Sequence, residues 1–416
     1  MRRSPVSALV VVLMVVMLGV GAGVAVSGSG AAAAGNAADA GATQANAVRL
    51  EYIAHAAFVI ESPGGTRVVI DPYNGNIWLG YGFPEGIEAD AVVVSHPHYD
   101  HDATYYFSDV TPVLRSPGKF RFDDVTLVGV ESEHAGRSRF LDRGQTPYNT
   151  IWVAETGGLR IAHLGDNRFL NEVDLERLGA VDVVLLGAAY LDGINGEMLA
   201  LLVDTAHPQL LVPMHYQQPG LSDLPRGMRP VTDYMEGREA LYVDGNVLEL
   251  TAAGFAQWPE VVVLKPSPAV QPWSDELYDA WIEANEGAVL LADSETEADA
   301  ARAEEALWEG LFHFESAMDL ASRVLRFGYG AADALARLGE INDAIETLDH
   351  AVARAPRADW TERTRAHMLL GELYEAGDRP DIAVEHYLYV AAQEHTHETS
   401  MRDRALQRLE ELRQNR

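Results

Sequence analysis

Cysteine is absent from the 416-residue sequence. Without thiols, the chain has neither disulfide bonds nor a thiolate metal site, and no lipid can be attached through an amino-terminal cysteine. Any metal ligand in this protein must therefore be a histidine, an aspartate or a glutamate.

Basic residues are scarce. Lysine and arginine together number 31 against 62 aspartates and glutamates, which gives a formal net charge of −31. Such a charge repels the phosphates of nucleic acids, so we exclude nucleic acid as a partner and interpret the acidic excess as a solubility property. The hydrophobic fraction of 48% is ordinary for a globular protein, and the length allows two or three domains.

An apolar segment opens the sequence. Arg2 and Arg3 precede an almost uninterrupted apolar run from Ala8 to Val26. This pattern predicts an export signal over residues 1–26, with retention as a membrane anchor as the alternative. Residues 27–47 are rich in alanine, glycine and serine and predict a flexible spacer. The bulk of the chain is then exported, periplasmic or extracellular.

Residues 48–255 have the pattern of an α/β domain. Closely spaced apolar runs predict strands at Val48–Ile53, Ala57–Glu61, Arg67–Ile70, Ala91–Ser95, Val125–Val130 and Thr150–Ala154. Further strands are predicted at Leu159–His163, Val181–Leu186 and Leu210–Met214, alternating with helices at Asn171–Leu178 and Glu197–Thr205.

The fourth predicted strand ends in His96-Pro97-His98-Tyr99-Asp100-His101, an H-x-H-x-D-H pattern. Four potential ligands within six positions at the end of a strand indicate a metal site, and two adjacent metal ions fit imidazoles combined with a carboxylate. A histidine-rich surface loop is the alternative.

Other candidates follow later strands or turns. His134 lies four residues beyond the predicted strand Val125–Val130 and shortly before a glycine, and His215 comes directly after a predicted strand. Asp166 follows Gly165, which permits a tight bend. Asp71, where the third strand ends, is predicted either to support a neighbouring metal ligand or to cap a turn. For His55, a site role and a structural role remain equally open.

Together, these residues resemble the ligand series of the metallo-β-lactamase-fold hydrolases. Four short segments resemble the branch that contains ascorbate-6-phosphate lactonase and small stand-alone metal-dependent hydrolases. They are the residues around His55, Ile70-Asp71-Pro72, His163-Leu164-Gly165-Asp166 and Pro213-Met214-His215-Tyr216. The resemblance implies an αββα sandwich. It also implies a first metal on His96, His98 and His134, a second on Asp100, His101 and His215, and Asp166 as a bridge.

The resemblance further implies the chemistry. His98 stands where the diiron oxidoreductases of this fold carry glutamate, which favours hydrolysis. Two divalent ions, zinc before manganese or iron, would activate a bridging hydroxide against an ester, a lactone or a related bond, with a phosphodiester as the alternative. Asp100 or Asp166 is expected to relay the proton. His163, placed behind the ligands, or His55 is expected to protonate the leaving group.

The substrate is expected to be a small molecule. The loops Tyr73–Gly86 and Tyr190–Gly196 are expected to line the mouth, with Trp78, Tyr81 and Phe83 either gripping an apolar substrate or packing the loop. No cluster of basic residues lies near the motifs, although Arg137 and Arg139 follow His134, which favours a carboxylic ester, lactone or amide over a nucleic-acid phosphodiester.

The last part of the sequence is helical. Residues 256–273 predict a linker, and from residue 274 to 416 alanine, leucine and glutamate recur with helical periodicity. One repeat resembles the tetratricopeptide signature, and a weaker copy precedes it. The stronger copy comprises Leu370, Gly371, Tyr374, Ala376, Gly377, Ala383, Tyr387 and Ala391, and the weaker one Leu335, Gly339, Ala344, Leu348, Ala351 and Pro356.

Such repeats predict a surface for a protein or peptide partner, whereas a cap on the first domain or a dimer contact is the alternative. We expect Trp308, Phe312 and Phe314 in the core, and His395 and His397 at the surface. A second hypothesis for the whole chain follows: a cell-envelope scaffold whose helices bind a partner and whose metal site is structural.

Overall fold

A computed structural model describes residues 46–414 with ten gaps. The gaps are 76–78, 99, 109, 135–147, 168–169, 193–194, 223–227, 236, 356–359 and 394–398. The predicted signal and nearly all of the predicted spacer lie outside the described residues, as do Trp78, Arg137, Arg139, His395 and His397. Within the described residues, no helix is both long enough and apolar enough to cross a bilayer.

The first sheet has six strands, and one part of it is antiparallel while the other part is parallel. The strands are β1 (Val48–Ala54), β2 (Ala57–Glu61), β3 (Arg67–Ile70), β4 (Ala91–Val93), β5 (Val113–Leu114) and β13 (Val247–Leu250). They lie in the order β13-β1-β2-β3-β4-β5. The pairs from β13 to β3 are antiparallel, whereas β3–β4 and β4–β5 are parallel.

The second sheet is also mixed and has six strands. They are β6 (Gly118–Phe122), β7 (Val125–Glu133), β8 (Tyr148–Thr156), β9 (Leu159–His163), β10 (Val183–Gly187) and β11 (Leu210–Met214). The order is β11-β10-β9-β8-β7-β6. The parallel pairs β9–β10 and β10–β11 are connected by helices α1 (Glu172–Leu178) and α2 (Gly196–Ala206). Strands β12 (Leu241–Tyr242) and β14 (Val262–Val263) form a separate parallel pair, and α3 (Val231–Tyr234) is a short helix.

One hydrophobic core joins the two sheets. Phe58 and Ile60 of the first sheet and Trp152 and Ile161 of the second belong to the same buried cluster, which also includes Leu175 of α1. The indole of Trp152 donates a hydrogen bond of 2.9 Å to the carbonyl of Val94, just before the H-x-H-x-D-H pattern. The predicted α/β class is thus confirmed, and the core holds the end of β4 in place.

The predicted strands are confirmed as elements, with shifts of a few residues at their ends. The sequence missed β5, β6, β12 and β14. Three of these are only two residues long, and β6 alternates between partly buried and exposed residues, so β5, β6 and β12 carry no clear apolar run. β14 lies in the apolar run Val261–Leu264, within the residues that the sequence predicts as a linker.

The rest of the chain is a row of helices. They are α4 (Asp275–Thr296), α5 (Ala300–Leu320), α6 (Leu325–Leu338), α7 (Ile341–Arg354), α8 (Trp360–Ala376), α9 (Pro380–Ala391) and α10 (Thr399–Gln414). Consecutive helices pack together, and a second hydrophobic cluster runs through them. This arrangement resembles tetratricopeptide proteins, as the repeat predicts.

Small residues let these helices approach closely. A methyl group on Gly371 of α8 would lie 2.5 Å from Cε1 of Tyr387 on α9, and one on Gly330 would overlap the ring of Phe314. The prediction that glycine marks a close helix contact is therefore confirmed at Gly371.

The prediction for the aromatic residues of α5 was partly wrong. Phe314 is buried in the helical core, but Trp308 and Phe312 are 47% and 63% exposed. Phe314 follows the stripe Leu307–Gly310–Leu311 that faces the core, whereas Trp308 and Phe312 lie four positions apart on the outer face.

The predicted linker packs on the first domain instead of crossing solvent. Val270 is buried in a cluster with Tyr73 and Tyr81 on the outer face of the first sheet. The amide of Trp273 donates to the carbonyl of Gly80 at 3.0 Å, and the amide of Gly82 donates to the carbonyl of Gln271 at 3.3 Å. The helices therefore begin directly beside the loop that follows β3.

We predict that Gly371→Ala destabilises the helical region by about 1–3 kcal/mol, because the added methyl group forces the buried ring of Tyr387 to move. Thermal unfolding of the full chain measures the effect. Gly196→Ala is the matched control, since no described residue beyond its immediate neighbours lies within 4 Å of a methyl group at that helical position. Equal melting temperatures for the two variants would contradict the close contact.

Candidate metal centre

The H-x-H-x-D-H residues occupy a tight turn after β4. The amide of His98 donates to the carbonyl of His96 at 3.0 Å, and the amides of His101 and Asp102 both donate to the carbonyl of His98 at 2.9 Å. The chain therefore reverses within a few residues. The side chains of His96, Asp100 and His101 are buried, and His98 is half-buried.

Three histidines meet at one point, which we call the three-histidine group: His96, His98 and His134. Nε2 of His96 lies 3.0 Å from Nδ1 of His98. The ring of His134, which follows β7, has its centre 4.6 Å from that of His96 and 4.7 Å from that of His98. One nitrogen from each ring lies close enough to the others to share a cation.

A second set of donor atoms surrounds Oδ2 of Asp100, and we call Asp100, His101 and His215 the Asp100 group. Nε2 of His101 lies 3.5 Å from this oxygen, and Nε2 of His215, which follows β11, lies 3.7 Å from it. Nε2 of His55 is closer still, at 3.1 Å. These four residues are able to hold one cation together.

Asp166 lies between the two groups. Its Oδ2 is 2.8 Å from Nε2 of His134 and 3.9 Å from Nε2 of His215. The bend before it requires glycine: Gly165 has φ +63°, and a methyl group there would overlap Asn149 and Ser95. The structure thus brings all seven predicted ligands into one pocket, with Asp166 where a shared ligand would stand.

Asp71 supports both groups from behind. Its carboxylate accepts hydrogen bonds from the amide of Ser95 at 2.7 Å, the hydroxyl of Ser95 at 2.6 Å and Nδ1 of His101 at 2.8 Å. Because the Ser95 hydroxyl proton points to Asp71, its oxygen accepts from Nδ1 of His96 at 2.9 Å. In their neutral forms, both imidazoles then carry their proton on Nδ1 and present the lone pair of Nε2 to the pocket. The predicted supporting role of Asp71 is therefore visible in these contacts.

His163 lies behind the ligands, but its predicted role as a proton donor to the leaving group is wrong. Nε2 of His163 donates to the carbonyl of Ala56 at 2.8 Å, and Nδ1 accepts from the amide of Gly165 at 3.1 Å. The ring is fully buried, and burial lowers its pKa. Both nitrogens thus position the bend before Asp166, and neither is available to a substrate.

Burial and neighbouring charges set the protonation of the pocket. Burial, with His101 and other histidines nearby, holds the pKa of His96 well below its usual value. For Asp100, burial raises the pKa, but His101, His215 and His55 outweigh it and bring the pKa well below the usual range. For His101, burial lowers the pKa, yet the carboxylates of Asp100 and Asp71 raise it to about 9. Metal binding must therefore displace a proton from His101.

The donor set fits divalent cations. Nε2 of His101 and Nε2 of His215 are buried, and neither forms a hydrogen bond within the part of the chain that the structure describes. Such nitrogens are costly to bury unless something else binds them. Two ligands of a tetrahedral zinc ion, each about 2.0–2.1 Å from the metal, lie about 3.3 Å apart, close to the spacings around Asp100.

The described aromatic residues of the loop after β3 pack against the sheet. Tyr81 is fully buried and Phe83 nearly so, with the ring of Tyr73 5.6 Å from Tyr81 and 5.3 Å from Phe83. Of the two interpretations of these side chains, packing is the one observed for Tyr81 and Phe83. On the other loop, the hydroxyl of Tyr190 donates to Oδ1 of Asn167 at 3.0 Å, next to Asp166.

We predict that Asp71→Asn weakens metal binding about 10–100-fold. The Ser95 hydroxyl and Nδ1 of His101 both donate to Oδ2 of Asp71, and the Ser95 amide donates to Oδ1, so an asparagine would turn its NH2 group toward one of these two sets of donors. Competition with a chelating dye measures the change. Asp124→Asn is the matched control: Asp124 also accepts several hydrogen bonds, from Ser62, Thr66 and Gly64, but outside the pocket. Unchanged affinity in Asp71→Asn would refute its role.

Comparisons with known proteins agree with this geometry. A family described as "Beta-lactamase superfamily domain" matches residues 49–215. A UPF0173 metal-dependent hydrolase of Thermococcus kodakarensis is 28% identical over 194 residues, which cover 41% of this chain and 84% of that protein.

Two solved structures match different parts of the chain. A Thermotoga maritima protein, provisionally described as a Zn-dependent hydrolase of the metallo-β-lactamase superfamily, is 27% identical, with a TM-score of 0.40 over 53% of this chain and all of that chain. A tetratricopeptide protein of Thermus thermophilus is 22% identical, with a TM-score of 0.26 over 30% of this chain and 60% of that one. From the family match and the converging ligand pattern, residues 49–215 are a β-lactamase superfamily domain.

Proposed function

We propose that this metal-dependent hydrolase works with two divalent cations side by side. The three-histidine group would bind the first and the Asp100 group the second, with Asp166 shared between them. The observation that carries the proposal is the position of Asp166, whose Oδ2 lies within 4 Å of a histidine from each group. A single structural ion would not need two donor sets facing a common carboxylate.

The chain's own residues then have separate tasks in hydrolysis. Two cations bound here would lower the pKa of a shared water toward neutrality and polarise the substrate oxygen. Asp166 is the better proton relay of the two predicted carboxylates, because its side chain is more exposed than that of Asp100 and faces both groups. Oδ2 of Asp100 is surrounded by three imidazole nitrogens, which hold it ionised as a ligand.

The substrate proposed is a small molecule with an ester, lactone or related bond. The net charge of −31 disfavours polyanions, and no serine or cysteine nucleophile is needed when water is the attacking group. A phosphodiester is the alternative. Rates with matched panels of lactones, carboxylic esters and phosphodiesters distinguish the two classes.

We predict that the full chain binds two equivalents of zinc in this domain, and that a chelator abolishes hydrolysis until metal is restored. Elemental analysis and activity assays measure both. His313→Ala is the control background, because His313 lies with Glu283 and Glu286 in a separate cluster on the helices that is also able to hold a metal. Reconstitution with zinc, manganese and iron in turn tests the preference for zinc.

In that background, His98→Ala should lose most of the metal-dependent activity, because one ligand of the three-histidine group is gone. Full activity in His98→Ala, or in chain freed of metal, would refute the proposed chemistry. Binding of two metals with no hydrolysis of any panel member would instead favour a structural metal site.

We also propose that the chain is exported. The support is the arrangement of Arg2 and Arg3 before the apolar run Ala8–Val26. Sequencing the amino terminus of the protein from its producing cells is expected to find a first residue within 27–47, outside the cytoplasm. A chain that keeps Met1 in the membrane fraction would support the anchor instead, and one that keeps Met1 in the cytoplasm would refute export.

A partner-binding role for the helices is the second candidate function. The support is a set of exposed apolar side chains on the outer face of the first helix pair. They are Tyr278, Ile282 and Val289 of α4 and Trp308 and Phe312 of α5. On α4 they are four and seven positions apart, which places them on one face. The envelope-scaffold hypothesis requires that changing this face abolishes function while His98→Ala does not, and the hydrolase hypothesis requires the reverse.

A further inference from the structure

His55 occupies a left-handed turn position. It lies with Ala56 in the two-residue turn between β1 and β2, and its φ is +55°. Few residues other than glycine adopt such a backbone, because a side chain is strained there, although asparagine, aspartate and histidine adopt it more often than the rest. The ring of His55 is nevertheless fully buried in the pocket. Strain retained at a buried polar side chain suggests a functional reason for it.

The backbone of His55 is locked to that of His215. Its carbonyl accepts from the amide of His215 at 2.7 Å and from the hydroxyl of Tyr52 at 3.1 Å. His215 also has a left-handed backbone, with φ +56°, and the two rings have centres 4.2 Å apart. Gln218 holds the Tyr52 hydroxyl at 2.7 Å from the other side. The turn is therefore fixed so that both imidazoles enter the pocket together.

The ring of His55 joins the Asp100 group at ligand spacing. Its Nε2 lies 3.1 Å from Oδ2 of Asp100, whereas the same atom of His101 lies at 3.5 Å and that of His215 at 3.7 Å. Ligands of a tetrahedral zinc ion are about 3.3 Å apart, and the three distances to Oδ2 of Asp100 lie on either side of that value. All four donor atoms lie within 4.8 Å of one another.

We propose that His55 is a fourth protein ligand of the second cation, in addition to Asp100, His101 and His215. This inference rests on the proposed two-metal function. It makes the two sites unequal. With Asp166 shared between them, the second cation would have five protein ligands and the first four. The second cation would then be the more tightly held one, and the first would keep more positions free for water and substrate.

The competing explanation is that Nε2 of His55 only donates a hydrogen bond to Asp100. The two explanations differ in what glutamine does at this position. Glutamine can place an N–H close to the same point but is a much poorer metal ligand than imidazole. His55→Gln therefore separates a ligand from a hydrogen-bond donor, and His55→Ala removes both.

The experiment measures zinc equivalents and dissociation constants of the full chain by chelator competition, in the His313→Ala background. Unaltered His55 is expected to give two equivalents. His55→Ala and His55→Gln should both keep one equivalent and bind the other at least ten-fold more weakly. His207→Gln is the matched control, since His207 also has a left-handed backbone, φ +50°, but is exposed at the end of α2.

Two outcomes would overturn the inference. If His55→Gln binds both equivalents as tightly as the unaltered chain, His55 is a hydrogen-bond donor only. If His55→Ala also binds both equivalents as tightly as the unaltered chain, His55 has no role in metal binding. Circular dichroism of the metal-free variants shows whether they fold. If His55→Ala does not fold, His55→Gln still serves as the test, because glutamine preserves most of the buried side-chain volume. Fewer than two equivalents in the unaltered chain would refute the two-metal function itself, which is a different result from either.

Discussion

The whole pocket depends on one buried carboxylate. Asp71 stands where β3 leaves the sheet, with φ +48°, and its oxygens fix the protons of His101 directly and of His96 through Ser95. A carboxylate buried without partners would be very costly, but here a backbone amide, a hydroxyl and an imidazole share its charge. The same contacts turn two bare nitrogens toward the pocket, so one interaction stabilises the charge and prepares the ligands.

The ligand series could be predicted from the sequence because each ligand follows a strand at a sheet end. His96, His134 and His215 lie at or just after the ends of β4, β7 and β11, and strands that run in one direction bring such ends together. For Asp166, the preceding Gly165 was a sufficient signal, because a glycine permits the tight bend that turns the carboxylate toward the other ligands. What sequence could not decide was the direction of each ring. His55 and His163 both stand at strand ends, yet one faces the cation cluster and the other bonds to Ala56 and Gly165, because this depends on contacts distant in sequence.

The helical region shows the same limit of sequence reasoning. Gly371 and Tyr387 mark a helix contact that a repeat pattern can reveal, because the spacing recurs. Trp308 and Phe312 were assigned to the core because large aromatic residues usually lie there. Their exposure follows from the stripe of α5 that faces α6, and composition does not define that stripe.

The segment between the two parts of the chain links the helices to the catalytic pocket. Trp273 bonds through its amide to Gly80, and its ring stacks on Trp281 of α4 at 5.7 Å. On the other side of the same loop, the ring edge of Tyr73 faces His55 at 6.1 Å. A displacement of α4 therefore has a short path, through packed aromatic rings and two backbone hydrogen bonds, to the wall behind the Asp100 group. Because packed interiors yield little without rearranging, the first helix pair and the metal pocket cannot be treated as independent bodies joined by a tether.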